Sequence, residues 1–320
     1  MDKAARSYRL ENPEIRKTID SVGTILLGKE PQIKLSVACL LAKGHLLIED
    51  LPGMGKTTLS HALAAVLGLS YQRIQFTSDL LPADIVGVSI FNQANTSFEF
   101  KPGPVFSQLV LADEINRATP KTQSALLEAM EERQVTVDGH THTLPKAFFV
   151  IATQNPIEQM GTFPLPESQL DRFLMRVSLG YPDPVVEKEL IMGTDRRAMI
   201  QGLEPSMRLD QLLDLQKKVD TIHLSEAIVS YIQRLVTYSR TNKAFQFGLS
   251  PRATLALVKG SRAFALVNGR DHVIPEDVQA VLGPIAEHRL QVGDALFGEH
   301  GLSLVQKMLN QVDVVDSKKI

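Results

Sequence analysis

One stretch of the sequence, residues 45–67, constrains the fold more than any other. An apolar run leads into a Pro/Gly turn, Gly55-Lys56-Thr57 follows, and apolar residues then recur at helical spacing. This order predicts a strand, a loop and the start of a helix. Glycines let such a loop approach an anion closely, and the helix N-terminus adds positive potential at the same point. The stretch therefore predicts a phosphate-binding loop.

The residue types within this loop predict a nucleotide and a metal ion. We expect Lys56 to reach the β- and γ-phosphates and the Thr57 hydroxyl to ligate Mg²⁺. The general P-loop pattern begins with glycine, whereas this chain has Asp50 at that position. A strand-to-helix turn without a ligand therefore stays an alternative until partner elements appear downstream.

Length and composition describe an ordinary globular protein. The chain has 320 residues and a net charge of −2, which allows one large or two ordinary domains and does not favour sequence-independent nucleic-acid binding. Its one cysteine, Cys39, lies in an apolar stretch and cannot form an internal disulfide. No apolar run could span a bilayer, and residues 1–6 lead into no signal peptide. Together these features predict a cytoplasmic protein.

The apolar periodicity changes along the chain. Up to residue 181 we expect alternating strands and helices, with two N-terminal helices separated at Gly28, and beyond it we expect helices only. The sequence thus predicts an α/β unit over residues 1–181 and an all-α unit over residues 182–320. Further expectations are a loop at 79–87, a hairpin at 88–100, a buried strand at 105–112, a hairpin at 134–144, and helices at 185–200, 208–220, 224–240, 251–267, 275–290 and from about 302.

Two carboxylates follow one of the buried strands. Asp113 and Glu114 come at its carboxyl end, the edge where ligands bind in open α/β sheets. Asp113 suits a Mg²⁺ ligand acting through water, and Glu114 suits a base that polarises the attacking water, a role worth about 10²–10⁴-fold in rate. The alternative is an acidic strand end that merely opens a loop.

Three further polar residues suit phosphoryl transfer. Asn155 follows the next buried strand and could orient water or touch the γ-phosphate, although Asn before Pro is also common in turns. Arg172, at a helix end, could stabilise the transferring phosphoryl group, or it could form a surface salt bridge. Arg252 begins a helix behind Ser250 and Pro251, and it could report the nucleotide state or lie in solvent.

In this order, the motifs resemble those of the MoxR family of AAA+ ATPases. The similarity covers roughly residues 12–290. The loop around Asp50 resembles the family's own P-loop, where an acidic residue replaces the first glycine. The other similar motifs lie at residues 113–118, 152–156, 166–173 and 250–253.

The resemblance implies an AAA+ P-loop NTPase core with a five-stranded parallel sheet, followed by an all-α lid domain. The hairpins near 88–100 and 134–144 would be the helix-2 insert and the pre-sensor-1 insert. The assembly would be a ring, expected to be a hexamer.

The resemblance also assigns roles to individual residues. Asn155 would be sensor 1, Arg252 would be sensor 2 acting in cis, and Arg172 would be an arginine finger acting across a subunit interface. Arg117 and Arg133 are further candidates for interface contacts. The implied nucleotide-binding residues are Gly28 and Gln32 beside the adenine, together with Pro52, Gly53, Met54, Gly55, Lys56, Thr57, Thr58 and Asp113.

The implied function is Mg²⁺-dependent ATP hydrolysis coupled to chaperone-like remodelling or maturation of a partner protein. Family members often act with a von Willebrand factor A domain protein. One alternative is a nucleotide-gated binding scaffold with negligible turnover. Another is a chelatase-like or nucleic-acid-translocating ring motor, and the near-neutral net charge favours the translocase least.

Overall fold

The computed structural model of this chain describes residues 12–156, 161–193, 196–290 and 303–315. The prediction about residues 1–6 and the expected helix start at 302 lie outside these ranges. Within them, no helix is long and apolar enough to cross a bilayer.

The described chain has two parts in sequence order, an α/β part and a helical part. The first part contains α1 (Pro13–Ile25), α2 (Glu30–Leu41), β1 (Leu46–Glu49), α3 (Lys56–Val66), β2 (Tyr71–Gln75), α4 (Pro82–Val86), β3 (Gly87–Asn92), β4 (Ser97–Pro102), β5 (Leu109–Asp113), α5 (Pro120–Glu132), β6 (Gln134–Val137), β7 (His140–Thr143), β8 (Phe149–Gln154), α6 (Glu167–Leu170) and β9 (Met175–Val177). The second contains α7 (Pro184–Met192), α8 (Arg196–Met199), α9 (Leu209–Thr221), α10 (Glu226–Thr241), α11 (Pro251–Val267), α12 (Pro275–Ala286) and α13 (Leu304–Gln311).

Among the described residues, five strands form one parallel sheet in the order β2-β5-β8-β1-β9. The central strands β5 and β8 are buried along their whole length, as expected when helices cover both faces of a sheet. The predicted five-stranded parallel sheet is confirmed. Because all strands run the same way, the loops that follow β1, β5 and β8 meet at one edge, which we call the carboxyl edge.

The two hairpins form where the sequence predicts them, but other elements differ. The strand expected at 105–112 begins only at Leu109, because a 3₁₀ turn over Pro104–Phe106 comes first. The loop expected at 79–87 contains α4, a short helix with Pro82 in its first turn and Asp84 accepting the Leu81 N–H at 2.8 Å. The helix expected at 185–200 ends at Met192 and a second begins at Arg196.

One apolar core extends from the sheet into the helical part. It includes Ile33 of α2, Tyr231 of α10 and Leu257 of α11, all fully buried. A second cluster, with Leu126 of α5 and Val150 of β8, covers the other side of the sheet. Shared burial fixes the helices against the strands. The domain boundary between residues 181 and 182 stays a prediction.

Candidate functional site

The predicted phosphate loop lies between β1 and α3, at the carboxyl edge. Gly53 and Gly55 have φ values of +85° and +93°, a region that glycine adopts without strain. Pro52 and Gly53 are exposed, and Met54 packs against the core. α3 begins directly after Gly55, so its first N–H groups open towards the loop. The loop therefore has the shape and the polarity of an anion site.

Lys56 is held inside this loop. Its side chain is buried, and Nζ donates to the backbone oxygens of Asp50, at 2.6 Å, and Gln154, at 3.3 Å. Both of these acceptors are neutral carbonyl oxygens, and phosphate oxygens could take their place. Thr57 and Thr58 lie beside the lysine and line a cavity of about 210 Å³.

The hydroxyl of Thr153 organises the acidic pair. Thr153 Oγ1 donates to Asp113 Oδ1 at 2.6 Å and accepts the Glu114 N–H at 2.8 Å. Glu114 has a φ of +58°, which is uncommon for a non-glycine residue and typical of functional sites. Its Oε2 accepts from Arg117 Nε at 2.9 Å and Gln75 Nε2 at 3.0 Å. One side chain of β8 therefore positions both carboxylate residues at the end of β5.

An arginine that we did not predict neutralises Asp113. Arg73 of β2 donates to Asp113 Oδ2 through Nη2 at 2.7 Å and Nε at 3.1 Å. Arg73 also lines the cavity beside Thr57. The Arg73 guanidinium thus balances the negative charge of Asp113, as a metal ion at this position would. Thr57 and Asp113 supply the oxygen atoms that Mg²⁺ prefers, so the residues fit this ion.

Asn155 lies at the same edge. It is buried and directly follows β8, and the neighbouring Gln154 carbonyl contacts Lys56. The structure therefore places Asn155 at the same edge as the phosphate loop and the acidic pair, and its role towards the γ-phosphate stays a prediction.

Gly28 and Gln32 lie beside the segment that follows β9. Gln32 Nε2 donates to the Ser178 carbonyl at 3.4 Å, and a Cβ atom at Gly28 would lie 3.0 Å from Val186 Cγ2. A Cβ atom at Gly55 would lie 3.0 Å from Leu26 Cδ1, so the link between α1 and α2 adjoins the phosphate loop. Gly28 lies in this link and Gln32 lies in the first turn of α2, and a nucleotide base beside them stays a prediction.

Arg172 and Arg252 lie elsewhere. Both bind Glu131 of α5, with Nη2–Oε distances of 3.1 and 2.7 Å, beside a second cavity of about 360 Å³. This arginine pocket is also lined by Gly44 and His45, which come just before β1, whereas the phosphate loop follows β1. The two sites are separated by the length of β1, roughly 13 Å. The expectation that Arg252 acts on the nucleotide of its own chain is therefore corrected: here it lies at the opposite edge.

A buried arginine braces the arginine pocket. Arg289 Nε donates to Asp171 Oδ1 at 2.6 Å, and Nη2 donates to the Phe173 carbonyl at 2.6 Å. Burial lowers the pKa of Arg289 from its usual value, and the bond to Asp171 opposes that shift. Asp171 and Phe173 flank Arg172, so these two bonds hold the chain on both sides of it. Asp171 Oδ2 also lies 3.7 Å from Arg252 Nη1.

Comparison with known proteins decides the family. The model described as "ATPase family associated with various cellular activities (AAA)" matches residues 45–175, and an AAA lid domain matches residues 237–306. Chaperone MoxR1 of Mycobacterium tuberculosis is 42% identical to this chain over 92% of it and 80% of that protein. The chain belongs to the MoxR family of AAA+ ATPases.

Further relatives agree with this membership. Protein MoxR of Paracoccus denitrificans is 32% identical over 85% of this MoxR-family chain and 86% of that protein. Uncharacterized protein YeaC of Bacillus subtilis is 45% identical over 95% of each chain. A crystal structure from Cytophaga hutchinsonii, of a protein named as an inferred ATPase, superimposes with a TM-score of 0.85 at 37% identity, covering 95% of this chain and 96% of that one. The AAA+ core and the helical lid are thereby confirmed.

Sequence reasoning missed four contributors to this MoxR-type site. Glu131 and Arg289 occur in ordinary helical patterns, and Thr153 and Arg73 are single polar residues of strands. Only the strand order, which places β2 beside β5 and β5 beside β8, brings Arg73 and Thr153 to Asp113.

Proposed function

We propose that this MoxR-family protein hydrolyses ATP with Mg²⁺ at the carboxyl edge and couples turnover to remodelling or maturation of a partner protein. The observation that carries the proposal is that the Thr153 hydroxyl binds both Asp113 and the Glu114 N–H. The residue after Thr153, Gln154, accepts a hydrogen bond from Lys56 through its carbonyl oxygen. A phosphate loop and an oriented acidic pair at one edge are the parts that in-line attack of water on a γ-phosphate requires.

The residues of this chain divide the work as follows. Lys56 and the first N–H groups of α3 bind the β- and γ-phosphates. Thr57, and Asp113 through water, would hold Mg²⁺, which would neutralise negative charge on the phosphates. Glu114 polarises the attacking water and Asn155 orients it. For this to occur, Glu114 must exchange Arg117 and Gln75 for that water.

The position of the arginine pocket supports a ring. Arg172 would reach the nucleotide of a neighbouring subunit, and Arg252, which shares Glu131 with it, would do so as well. An isolated subunit would then lack part of the clamp that stabilises the transferring phosphoryl group. A hexamer is the ring that we propose, with Arg117 and Arg133 as candidates for further interface contacts.

The wider setting is also a proposal. The chaperone name of the mycobacterial relative supports action on a protein, and we expect a von Willebrand factor A domain protein as partner. Cys39 is buried, and burial raises the pKa of its thiol far above the usual value, so it is unreactive. A single inert thiol suits the cytoplasm, where we place the protein.

The test is the steady-state ATPase rate per subunit against protein concentration, for the unmodified chain, Glu114→Gln and Arg172→Ala. We expect a rate that rises with concentration and falls by about 10²-fold or more in both variants. Arg208→Ala is the matched control, because Arg208 is exposed and its guanidinium pairs with Asp210, two residues along the chain. Mixing the two inactive variants should restore some turnover, since a mixed interface can join an intact Glu114 to an intact Arg172. An unaffected Arg172→Ala variant would contradict the trans role.

A nucleotide-gated scaffold is the second candidate, and one observation favours it. Glu114 Oε2 is bound by Arg117 and Gln75, so a carboxylate that kept these partners with ATP in place could not activate water. ATP binding without turnover at any protein concentration would support the scaffold function.

A further inference from the structure

Asp50 is the residue at which the phosphate loop departs from the general pattern, and its carboxylate accepts four hydrogen bonds at the carboxyl edge. Asp50 is buried, and its Oδ1 accepts the Leu51 N–H at 3.0 Å. Its Oδ2 accepts three bonds, from Leu179 N at 2.6 Å, Gly180 N at 2.7 Å and Ser178 Oγ at 3.1 Å. A glycine at this position could make none of these side-chain bonds.

The backbone of Asp50 also belongs to the phosphate loop. Its carbonyl accepts the Lys56 ammonium at 2.6 Å, and its N–H donates to the Gln154 carbonyl at 3.3 Å. A shift of Asp50 would therefore move the carbonyl that holds Lys56. The side chain and the backbone of one residue join the segment after β9 to the lysine.

The segment 178–181 is also bound by the start of α2 and by Lys29, the residue before that helix. Gln32 Nε2 donates to the Ser178 carbonyl at 3.4 Å, and Lys29 Nζ donates to the Tyr181 carbonyl at 2.7 Å. This is the side of the site where we expect the nucleotide base, beside Gly28 and Gln32. The bonds thus form an unbroken path from the base side through 178–181 and Asp50 to Lys56.

We propose that Asp50 is a positioning residue that joins the base side and the phosphate side of the nucleotide site into one rigid unit. This inference rests on the proposed function. If the two sides are fixed relative to each other, a molecule that carries both a base and a triphosphate loses little extra freedom when its second part binds. The charge of the carboxylate matters, because hydrogen bonds to an ionised acceptor are about twice as strong as neutral ones.

The substitution Asp50→Asn tests the charge with little change of size. An amide keeps one acceptor oxygen but turns an NH₂ group towards backbone N–H donors, so at least one of the four bonds is lost. The segment 178–180 should then move independently of the phosphate loop. ATP, which spans both sides, should lose more affinity than inorganic tripolyphosphate, which occupies only the phosphate side.

The experiment is calorimetric titration of the full chain with Mg²⁺-ATP and, separately, with Mg²⁺-tripolyphosphate. The readout is the ratio of the two dissociation constants, which requires no turnover. Coupling between two binding sites is typically about 5- to 150-fold, and by analogy we expect Asp50→Asn to reduce the advantage of ATP at least about fivefold. Ser178→Ala, which removes one bond and leaves the charge, should reduce it less and keeps the test open if Asp50→Asn fails to fold.

Asp277→Asn is the matched control. Asp277 of α12 is also buried and also accepts a backbone N–H, that of Ile274 at 3.0 Å, so its loss lowers stability without touching the nucleotide site. Its ratio should equal that of the unmodified chain. An unchanged ratio in a folded Asp50→Asn protein, or an equal change in Asp277→Asn, would overturn the inference. Failure of the unmodified chain to bind ATP would instead refute the proposed function, and the inference with it.

Discussion

Thr153 shows how much of the site depends on a single uncharged side chain. Its hydroxyl donates to Asp113 and accepts from the Glu114 N–H, so one group fixes a carboxylate and the unusual backbone of its neighbour. Arg73 adds the charge that the buried Asp113 needs. At this scale, function depends on hydrogen-bond direction as much as on residue type.

The environment of His45, just before β1, predicts how the stability of the fold depends on pH. The Val150 N–H donates to His45 Nδ1 at 3.0 Å, so the imidazole proton is on Nε2, which faces the Met130 carbonyl at 3.3 Å. Burial lowers the pKa of His45 to about 3, against an ordinary value of 6.5. Below pH 6.5 the unfolded chain therefore binds a proton that the folded chain does not, and stability falls as pH falls from about 6.5 towards 3.

Because of this pKa difference at His45, we expect the free energy of unfolding to be about 2 kcal/mol lower at pH 5 than at pH 7. Urea unfolding at both pH values measures it, and the loss should be smaller by that amount in His45→Gln. His140→Gln is the control, because His140 lies exposed on the second hairpin. Equal pH dependence in the unmodified protein and His45→Gln would contradict the assignment.

At the scale of elements, α11 and α12 approach each other closely at Gly260. A Cβ atom there would lie 2.6 Å from Ile285 Cδ1 and 3.1 Å from Met175 Cε, and both side chains are buried. We expect Gly260→Ala to destabilise the protein by about 1 kcal/mol, because overpacking outweighs the better helix propensity of alanine. Thermal or urea unfolding gives the value.

Gly23 of α1 is the matched control, since a Cβ atom there meets nothing within 4 Å. Gly23→Ala should stabilise the protein by about 0.5–1 kcal/mol through helix propensity alone. Opposite signs for two glycine-to-alanine changes would isolate packing as the cause. A stabilising Gly260→Ala would mean that the two helices can separate without cost.

For the whole molecule, the important feature is that the two sites lie at opposite ends of β1. One edge carries Lys56 and the acidic pair, and the other carries Arg172 and Arg252 bound to Glu131. A head-to-tail contact between identical chains would bring unlike edges together, and such contacts close into rings when the rotation permits. Glu131 binds both arginines within one chain, so in the ring that we propose these ion pairs would have to break before the arginines could contact a neighbour's nucleotide.

This arrangement predicts that Glu131 opposes assembly. Glu131→Gln should lower the protein concentration that gives half-maximal ATPase rate by about two- to tenfold, because two partly exposed ion pairs no longer have to break. Glu132→Gln, a change at the exposed neighbouring position, is the control. A higher required concentration would show that Glu131 positions the arginines for the neighbour.

The sequence by itself determined the alternation of strands and helices, the phosphate loop and the acidic pair. These features depend on residues close together in the chain, such as glycines beside Lys56 or carboxylates at the end of an apolar strand. They can therefore be recognised from the sequence pattern. β9 was not recognised from its residue pattern, because three residues are too few to show a strand period.

Only the tertiary structure decided which distant residues meet. The order β2-β5-β8-β1-β9 brings Arg73 and Thr153 to Asp113, and the chain after β9 to Asp50. It also placed Arg252 beside Glu131, at the edge opposite the one we expected. The physical reason is that strand order and helix placement are set by burial of a shared apolar core, a property of the whole chain that no local pattern encodes.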